Sequence, residues 1–246
     1  MELEGKTVVI TGASRGLGRA LAIAFAKAGS NVVGLGKDAG RLEDTAAQIT
    51  EGAFISMICD VGDWQQVSHV MDEIIARYQR IDVLFNNAAL YHKVSFIEES
   101  AEEWSAAVAA NIDGVAFCCK AALTHMLRAG TGRIYNLGSW AHMAPIACAA
   151  AYSASKGAVH ALTKGIGQDL ACLDTDVQVH EWVPGHLNTR MSDFTGIDPA
   201  VSAGWAVEMV RADAATNPCS IFENNYEWVP PKRLKERIVD RLLLRS

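Results

Sequence analysis

Short runs of β-branched and apolar residues alternate with helical patterns along most of this 246-residue chain. Several of these runs are apolar without interruption, which is typical of parallel strands that helices cover on both faces. The alternation predicts an α/β fold, a single-domain, doubly wound Rossmann-type parallel sheet of about seven strands flanked by helices. The predicted strands are Thr7–Thr11, Asn31–Leu35, Phe54–Cys59, Asp82–Asn86, Arg133–Leu137, Val177–Val183 and Ser220–Phe222.

The charge balance and the cysteine spacing limit the classes of protein to which the chain can belong. A formal net charge of -6 argues against nucleic-acid binding, because such proteins concentrate Lys and Arg. The apolar run Val8–Ile10 is too short for a signal peptide or a membrane span. The six cysteines show no CxxC spacing, so reduced core thiols are favoured over a disulfide framework. We therefore expect a cytoplasmic protein with no membrane span and no nucleic-acid partner.

No repeat or long linker divides the chain, so residues 1–246 are predicted to form one domain. The segment at about 185–218 mixes Gly, Pro, Asp and Thr, and long segments of this kind are commonly substrate loops or lids. At about 231–246, apolar residues recur at i, i+4 and i+8 among Lys and Arg, which predicts a basic amphipathic helix. That helix is expected to pack on its own fold or on a sister subunit; a membrane or a partner protein is the alternative.

A glycine-rich turn with the spacing GxxxGxG joins the first predicted strand to an amphipathic helix. Glycines permit a tight turn and close backbone approach, while the free N–H groups at a helix N-terminus attract a pyrophosphate. The placement between strand and helix distinguishes this turn from a purely structural glycine cluster. It predicts a dinucleotide site formed by Gly12, Ser14, Arg15, Gly16, Leu17 and Gly18.

The residues after the second strand favour NADP over NAD. Many NAD-binding folds place an acidic residue here to bind the ribose hydroxyls, whereas this chain has Gly36 and Lys37. Lys37 and Arg15 could both bind the 2′-phosphate of NADP, although either could instead be a solvated surface charge. Asp38 lies beyond the strand and is expected to begin the next helix.

Tyr152 and Lys156 stand four residues apart, which places them on one face of a helix. Ser139 follows the strand Arg133–Leu137, at the edge where open α/β sheets bind ligands. A neighbouring cation lowers the pKa of a tyrosine, so Tyr152 could exchange a proton with a carbonyl or alcohol oxygen. Ser139 could hydrogen-bond the same oxygen. A core tyrosine bonded to a serine, together with a surface lysine, is the structural alternative.

These motifs together resemble the short-chain dehydrogenase/reductase family, in the branch with TGxxxGxG and YxxxK motifs. The resemblance extends from residue 3 to about residue 190. It implies an NADP-dependent oxidoreductase that transfers a hydride between the nicotinamide and a carbonyl or secondary alcohol of a medium-sized substrate. The residues that carry it are Thr11–Gly18, Asp60-Val61, Asn86–Ala89, Asn111, Ser139, Tyr152–Lys156, Pro184-Gly185 and Thr189.

The resemblance also assigns roles to individual residues. Asn111 would join the catalytic residues Ser139, Tyr152 and Lys156 by positioning a water that relays protons to the lysine. Thr189 would hold the nicotinamide amide. The remaining positions implied for the cofactor are Asp60 and Val61 beside the adenine, Asn87, Ala88 and Ala89 along the cleft, and Pro184, Gly185, Leu187, Tyr152 and Lys156.

The predicted substrate pocket is rich in aromatic and histidine side chains. Their spacing matches no metal-ligand pattern, so we expect polar lining rather than a metal site. A ring ketone or a biosynthetic intermediate would suit such a pocket. The substrate-facing positions are Leu90, Tyr91, His92, Trp140, His142, Ile146, His186, Met191 and Phe194.

The chain departs from the family pattern at three places. Ala89 replaces a frequent glycine, which a small side chain should tolerate, and Val179–Trp182 replaces an asparagine-bearing run. The indole of Trp182 would either narrow the pocket or, more commonly, pack under the sheet. The glycine-rich final strand that builds many tetramers is missing, so a homotetramer is less supported than a homodimer formed through helices near 100–125 and 155–170. A catalytically silent NADP-binding regulatory or scaffold protein is the alternative function.

Overall fold

A computed structural model describes residues 1–213 and 217–229 of the chain. Within these ranges eight strands form one sheet in the order β3-β2-β1-β4-β5-β6-β7-β8. Strands β1 to β7 are parallel, and β8 pairs antiparallel with β7. The strands are β1 Thr7–Thr11, β2 Asn31–Gly36, β3 Ala53–Ile58, β4 Val83–Asn86, β5 Thr131–Leu137, β6 Asp176–Val183, β7 Ile221–Glu223 and β8 Tyr226–Trp228.

The prediction of a doubly wound α/β sheet is confirmed, but the predicted number of strands was one too low. The missed strand, β8, is only three residues long and follows a two-residue turn, so it shows no extended apolar run. The other predicted strands agree with the observed ones to within two residues at each end.

Seven α-helices connect the described strands, and acidic or hydroxyl side chains cap several of them. As predicted, Asp38 begins a helix: its side chain accepts a hydrogen bond from the N–H of Arg41. Ser100 and Glu103 form a capping box at the start of another helix. The helices are α1 Gly16–Lys27, α2 Ala39–Ala46, α3 Trp64–Tyr78, α4 Ala101–Val108, α5 Gly114–Ala129, α6 Ala150–Ala171 and α7 Pro199–Ala212.

The hydrophobic core has two parts, one on each face of the sheet. Val8 and Ile10 of β1 pack with α1 and α7, while Val9 packs on the opposite face with α3, α5 and α6. Trp182 lies fully buried in the first part, with its ring centroid 5.9 Å from that of Phe85. It therefore packs against the sheet, which was the commoner of the two predicted outcomes.

The segment predicted as a lid is partly regular. A 3₁₀ turn, Arg190–Ser192, is followed by α7, which packs against α1. Among the described residues of this segment, those before α7, residues 185–198, are mainly irregular, and residues 214–216 lie outside the description. The basic helix predicted at about 231–246 lies outside the described residues.

All six cysteines lie within the described residues and are free thiols. Burial raises the pKa of Cys59 to about 11 and that of Cys119 to about 12, so neither is a thiolate at neutral pH. Cys59, Cys118 and Cys119 are buried, as expected of core thiols, whereas Cys148 and Cys172 are exposed and Cys219 is half-buried, so the prediction of core thiols is wrong for these three.

One helical stretch, Ala101–Ala129, is long and apolar enough to cross a membrane by length and composition alone. It includes α4 and α5, and its most apolar window is 44% buried inside the fold. Side chains such as Cys118 and Met126 belong to the core. Buried core helices of soluble proteins pass the same test, so this is weak evidence for a membrane span.

Candidate active site

The glycine-rich turn packs so closely against the segment after β4 that side chains are excluded. Gly12 has φ = 68°, and a Cβ atom there would lie 2.9 Å from the Cα of Ala88. A Cβ atom on Gly18 would overlap the carbonyl oxygen of Gly12. These two positions therefore require glycine, and they bring the start of α1 against the sheet edge.

The N-terminus of α1 is open to a ligand. Arg15 occupies the N-cap position, and within residues 1–213 and 217–229 no side chain caps this helix start. Its first-turn N–H groups lack helical acceptors, which is the usual setting for binding a phosphate. Ser14 lies in the same turn, and its carbonyl oxygen accepts a hydrogen bond of 2.8 Å from the Arg19 guanidinium. Leu17 is buried and fixes the helix to the core.

Asn87 holds the glycine-rich turn to the end of β4. Its Nδ2 donates to the carbonyl oxygens of Thr11 and Gly12 at 2.8 and 3.3 Å. The hydroxyl of Thr11 accepts the backbone N–H groups of Asn87 and Ala88, both at 2.9 Å. Asn87 and Ala88, followed by Ala89, thus line the turn on which the cofactor prediction rests.

Thr189, in the lid segment, lies next to the glycine-rich turn. A Cβ atom on Gly16 would lie 3.5 Å from the Cγ2 of Thr189. Two anchors precede it: the carbonyl oxygen of Pro184 accepts the Ser202 hydroxyl at 3.1 Å, and Leu187 forms a bridge with Ile197. Gly185, between these anchors, adopts φ = 87°. Four predicted cofactor positions therefore share this segment.

The charged residues beyond β2 and β3 are paired with each other. Lys37 Nζ lies 3.1 Å from Asp60 Oδ2, and both side chains are exposed. Asp60 Oδ1 accepts the N–H of Gly62 at 3.1 Å, while Val61 is buried against Gly114. The candidate for binding the 2′-phosphate and the candidate for flanking the adenine are thus direct neighbours.

Lys156 is buried on α6, facing the end of β5. Only 5% of its surface is exposed, and its Nζ donates to the carbonyl oxygen of Leu137 at 2.6 Å. The same Nζ lies 5.5 Å from the ring centroid of Tyr152. Burial lowers the pKa of Lys156 to about 8, opposed by the negative charge of Glu181. The pair predicted from sequence spacing is therefore assembled.

The pKa of Tyr152 shifts opposite to the prediction. Burial of the ring raises it, and a hydrogen bond with the Ser139 hydroxyl only partly opposes this. The expected lowering by Lys156 does not prevail, because desolvation of a phenolate is costly and the ammonium donates to Leu137 instead. Ser139 also accepts the N–H of Ala141 at 3.2 Å, which fixes its position.

Asn111 lies in a π-helical turn, Ala109–Asp113, between α4 and α5. Its side chain accepts the N–H of Leu90 at 2.7 Å and donates to the carbonyl oxygen of the same residue at 2.8 Å. It also donates to the Ser155 hydroxyl at 3.1 Å, beside Lys156. Turns of this type are frequent at functional sites. Asn111 therefore joins the segment after β4 to the helix that carries the Tyr–Lys pair.

Tyr91 is the predicted substrate position with the clearest contact to the Tyr152–Lys156 pair. Its ring meets that of Tyr152 edge to face, with centroids 5.0 Å apart. The neighbouring His92 has a buried Nδ1 with no hydrogen-bond partner among the described residues. In the lid segment, His186 Nε2 lies 2.9 Å from the Thr195 hydroxyl. The apolar side chains of Ile146, Met191 and Phe194 are exposed.

Trp140 and His142 contact the β7–β8 hairpin and α6, respectively. The indole of Trp140 donates to Glu223 Oε1 at 2.8 Å and packs beside Trp228, on the β7–β8 hairpin. His142 stacks on His160 of α6, with centroids 4.6 Å apart. Their substrate-facing role remains a prediction. No group of three metal-binding side chains occurs among the described residues.

A family model described as short chain dehydrogenase matches residues 6–198, more than half of the chain. The chain belongs to the short-chain dehydrogenase/reductase family. Members of this family with similar sequences are named as dehydrogenases and reductases. The protein is accordingly an oxidoreductase that acts on a CH–OH or C=O group.

Three curated members of the short-chain dehydrogenase/reductase family indicate the range of named activities. Meso-2,3-butanediol dehydrogenase of Serratia marcescens is 35% identical over 78% of this chain and 76% of its own. A 3beta-hydroxysteroid dehydrogenase of Mediterraneibacter gnavus is 34% identical over 79% and 75%. A 3-oxoacyl-[acyl-carrier-protein] reductase of Synechocystis is 32% identical over 80% of both chains.

Solved structures agree with this family assignment. A metagenomic short-chain oxidoreductase in complex with NADP is 27% identical, covers 92% of this chain and all of its own, and superposes with a TM-score of 0.79. A short-chain dehydrogenase/reductase of Burkholderia xenovorans, at 24% identity, covers 91% and 96% with a TM-score of 0.82. The second likeness is one of fold alone.

Sequence reasoning missed a buried charged group next to the family's catalytic pair. Glu181 of β6 is 2% exposed, and its Oε2 lies 2.6 Å from Nδ1 of His160. Two signals were available: a carboxylate inside a predicted strand, and the spacing by four of Tyr152, Lys156 and His160. The first was treated only as a departure from the family pattern.

Proposed function

We propose that this short-chain dehydrogenase/reductase is an NADP-dependent carbonyl reductase or alcohol dehydrogenase with Ser139, Tyr152, Lys156 and Asn111 as its catalytic group. The observation that carries the proposal is the buried ammonium of Lys156, 5.5 Å from the Tyr152 ring. Burying a cation costs free energy, and here it lies beside a proton-transfer group at the ligand-binding edge of the sheet. A merely structural lysine would gain more at the surface.

The residues around the glycine-rich turn fit a dinucleotide. The positions that a Cβ atom would fill at Gly12 and Gly18, together with the uncapped start of α1, form a cradle suited to a pyrophosphate. Asn87, Ala88 and Thr189 would line it, and Asp60 and Val61 would border the adenine. When bound, the nicotinamide supplies or accepts the hydride. The NADP complex of a structural neighbour supports this choice of cofactor.

Lys37 and Arg15 are the basis for preferring NADP. Neither Gly36 nor Lys37 presents a carboxylate that would repel a 2′-phosphate. Lys37 now binds Asp60 through an exposed ion pair, which water and salt weaken. The ammonium can therefore exchange that carboxylate for a phosphate, whose charge is greater.

Tyr152 would donate a proton to the carbonyl oxygen during reduction. Because burial raises its pKa, the phenol is protonated at neutral pH before substrate binds, as reduction requires. Ser139 would hydrogen-bond the same oxygen and stabilise the charge that develops on it. Lys156 would stabilise the phenolate left behind, and Asn111 would hold the Leu90 backbone against α6 for proton return through water.

The side chains near the cleft support a substrate with an apolar body. Met191 and Phe194 of the lid and Ile146 are exposed apolar side chains. Asp193, between the first two, binds Lys93 at 2.7 Å, and the N–H of Ile146 donates to the hydroxyl of Ser153, the residue after Tyr152. Exposed apolar groups near a catalytic site are typical of a binding surface. We therefore expect a medium-sized ketone or secondary alcohol, within the range set by the named diol, steroid and acyl-carrier relatives.

The decisive experiment is the substitution Tyr152→Phe. It should lower turnover of a carbonyl substrate with NADPH by roughly 10²–10⁴-fold, the usual contribution of a positioned acid. NADPH affinity, measured by calorimetry, should stay unchanged. Tyr78→Phe, on α3, is the matched control and should retain full activity. Full turnover by the Tyr152→Phe protein would overturn the proposal.

Calorimetric titration of both cofactors tests the NADP preference separately. We expect tighter binding of NADPH than of NADH, and Lys37→Ala should reduce that difference, while Lys120→Ala on the surface of α5 should not. Equal affinities for NADPH and NADH would show that Lys37 and Arg15 do not bind the phosphate. If NADPH binds but no carbonyl compound oxidises it, the silent regulatory protein becomes the better description.

The proposal also includes a homo-oligomer and a cytoplasmic location. A homodimer would use the helices near 100–125 and 155–170, where α5 and α6 lie. Sedimentation of the purified protein gives its oligomeric state directly.

A further inference from the structure

A buried carboxylate lies at the same end of β5 as the catalytic lysine. Glu181 lies two residues before the end of β6, opposite Asn136 of β5, and has almost no solvent exposure. A carboxylate taken out of water is destabilised unless a cation or hydrogen-bond donors surround it. Its position therefore calls for partners of opposite charge.

The space for this carboxylate is provided by Gly138. A Cβ atom at Gly138 would overlap Glu181 Oε1. Lys156 donates to the carbonyl oxygen of Leu137, the residue immediately before Gly138. The ammonium and the carboxylate therefore contact consecutive residues at the end of β5, within range of a direct electrostatic attraction.

His160 holds the other side of the carboxylate. Its Nδ1 lies 2.6 Å from Glu181 Oε2, and it follows Lys156 by one turn on the same face of α6. Since only a protonated Nδ1 can donate to a carboxylate, this contact fixes the histidine tautomer or its cationic form. Tyr152, Lys156 and His160 thus form a row that ends at Glu181.

The row is connected to the serine loop through His142. The rings of His142 and His160 stack with an interplanar angle of 20°. His142 Nδ1 lies 2.7 Å from the carbonyl oxygen of Ser139. The position of the catalytic serine is therefore coupled to the same buried pair.

We propose that Glu181 and His160 are a positioning pair, in which Glu181 is the counter-charge that keeps Lys156 an ammonium and so sets the upper pH limit of catalysis. This inference rests on the proposed function of Tyr152 and Lys156. Neither residue of the pair touches the reacting atoms; both act through Lys156 and the serine loop.

The charges around Lys156 support this assignment. Burial lowers its pKa to about 8, and Glu181 is the charged group that opposes this lowering. Removing that negative charge leaves desolvation unopposed, so the lysine would lose its proton at a lower pH. The other titratable groups near the pair are Tyr152 and the exposed Lys164 on α6, His142 in the serine loop, and Cys219 before β7. Glu223 and Glu227 of the β7–β8 hairpin contact Trp140 and Ser220.

The first test is the pH profile of Glu181→Gln. In carbonyl reduction at saturating NADPH, the alkaline limb of kcat should move to lower pH by about one unit, the low end for a lost neighbouring charge. Glu208→Gln, an exposed substitution on α7, is the matched control and should leave the limb in place. An alkaline limb of Glu181→Gln that is unchanged, or moved upward, overturns the proposal.

A second variant tests whether a folding defect, rather than the lost charge, explains the result. The double substitution Gly138→Ser with Glu181→Ala removes the charge and refills the vacated space. It should show the same displaced limb as Glu181→Gln. If the alkaline limb of kcat in the double variant lies at the same pH as in the unsubstituted protein, the role proposed for Glu181 is contradicted.

An activity-independent measurement separates this proposal from the proposed function. A lysine with a lowered pKa makes the fold more stable as pH rises through that value, so the thermal midpoint should begin to rise at lower pH in Glu181→Gln. The displacement should vanish when Lys156→Met is added. If the thermal midpoint shifts as expected but the protein reduces no carbonyl compound, the role of Glu181 and His160 is supported and the proposed function is wrong. If the protein is active but the thermal midpoint does not shift, only the role of Glu181 and His160 is refuted.

Discussion

The two ends of β5 each carry a buried cation, but the two cations have opposite surroundings. Arg133, near the start of the strand, has two carboxylate partners, whereas Lys156, packed against its end, donates to a backbone carbonyl and feels the charge of Glu181 only at longer range. The start of a parallel strand faces away from the ligand-binding edge, and the end of the strand forms that edge. The difference separates a charge that anchors the fold from a charge that is available for chemistry.

At the anchoring end, Arg133 is held on several sides. Its Nε and Nη2 lie 2.6 and 3.1 Å from the two carboxylate oxygens of Asp213, and Nη2 lies 2.9 Å from Asp176 Oδ1. Burial lowers the pKa of the guanidinium, but these hydrogen bonds and charges outweigh it and the pKa is raised. The arginine is therefore permanently charged.

At the end of β5, where the proposed catalytic residues lie, burial prevails. The pKa of Lys156 falls to about 8, so its charge is retained at neutral pH with little margin. Strongly shifted pKa values of this kind cluster at functional sites. Holding the ammonium in this state costs roughly 3 kcal/mol at neutral pH, from the shift of its pKa.

The sharpest test of this contrast is Lys156→Met. We expect turnover to fall by roughly 10²–10⁴-fold, because the phenolate of Tyr152 loses its stabilising cation. The loss of stability should be smaller than that caused by removing Arg133, because Glu181 keeps His160 as a partner. Steady-state kinetics and chemical unfolding measure the two effects. Lys164→Met, further along α6, is the control; equal losses of activity in both variants would break the contrast.

The converse test is Arg133→Met. It should cost roughly 3 kcal/mol of unfolding free energy, at the low end for breaking a buried ion pair because both aspartates can reach water. The melting temperature should fall by about 6–12 °C for a domain of this size. Arg128→Met, exposed at the end of α5, should leave it unchanged. Turnover of the folded protein should persist; a selective loss of turnover without a loss of stability would refute the anchoring role.

A smaller effect is expected in the pH dependence of stability. Between about pH 8 and pH 10.5, Lys156 is deprotonated in the folded chain and protonated in the unfolded chain. The unfolded state then binds more protons, so stability rises with pH through this window, by at most about 3 kcal/mol. Thermal unfolding of the Lys156→Met protein should lack this rise. Identical pH profiles for the two proteins would show that the lysine is not desolvated as described.

Local spacing was enough to predict the groups on which the proposed chemistry depends. Tyr152 and Lys156 lie one helical turn apart, and Gly12 and Gly18 flank a strand-to-helix turn, so each signal lies within a few residues. The strand pattern likewise predicted the sheet, because buried parallel strands read as apolar runs. Helix caps such as Asp38 followed the same local rules.

The electrostatic partners could not be predicted in this way. Arg133 and Asp213 are 80 residues apart, and no local pattern indicates that they meet. The carboxylate of Glu181 depends on the absence of a side chain at Gly138, which only the register of β5 against β6 reveals. The lowered pKa expected for Tyr152 was wrong. Sequence spacing shows that the cation Lys156 lies near Tyr152, but it does not show that the ammonium donates to the carbonyl oxygen of Leu137 instead.

The π-helical turn Ala109–Asp113 restricts how this sequence can change in length. It accommodates one more residue per turn than the helices on either side, and Asn111 reaches Leu90 from within it. Deleting a residue here would close the turn into ordinary α-helix, leave the register of α5 in place, and remove the backbone geometry from which Asn111 reaches Leu90. Deleting a residue at the start of α5 would instead rotate everything that follows by about 100° about the helix axis, so that buried side chains such as Cys118 and Met126 would point into solvent. Related sequences should therefore lose a residue from the turn more readily than from α5.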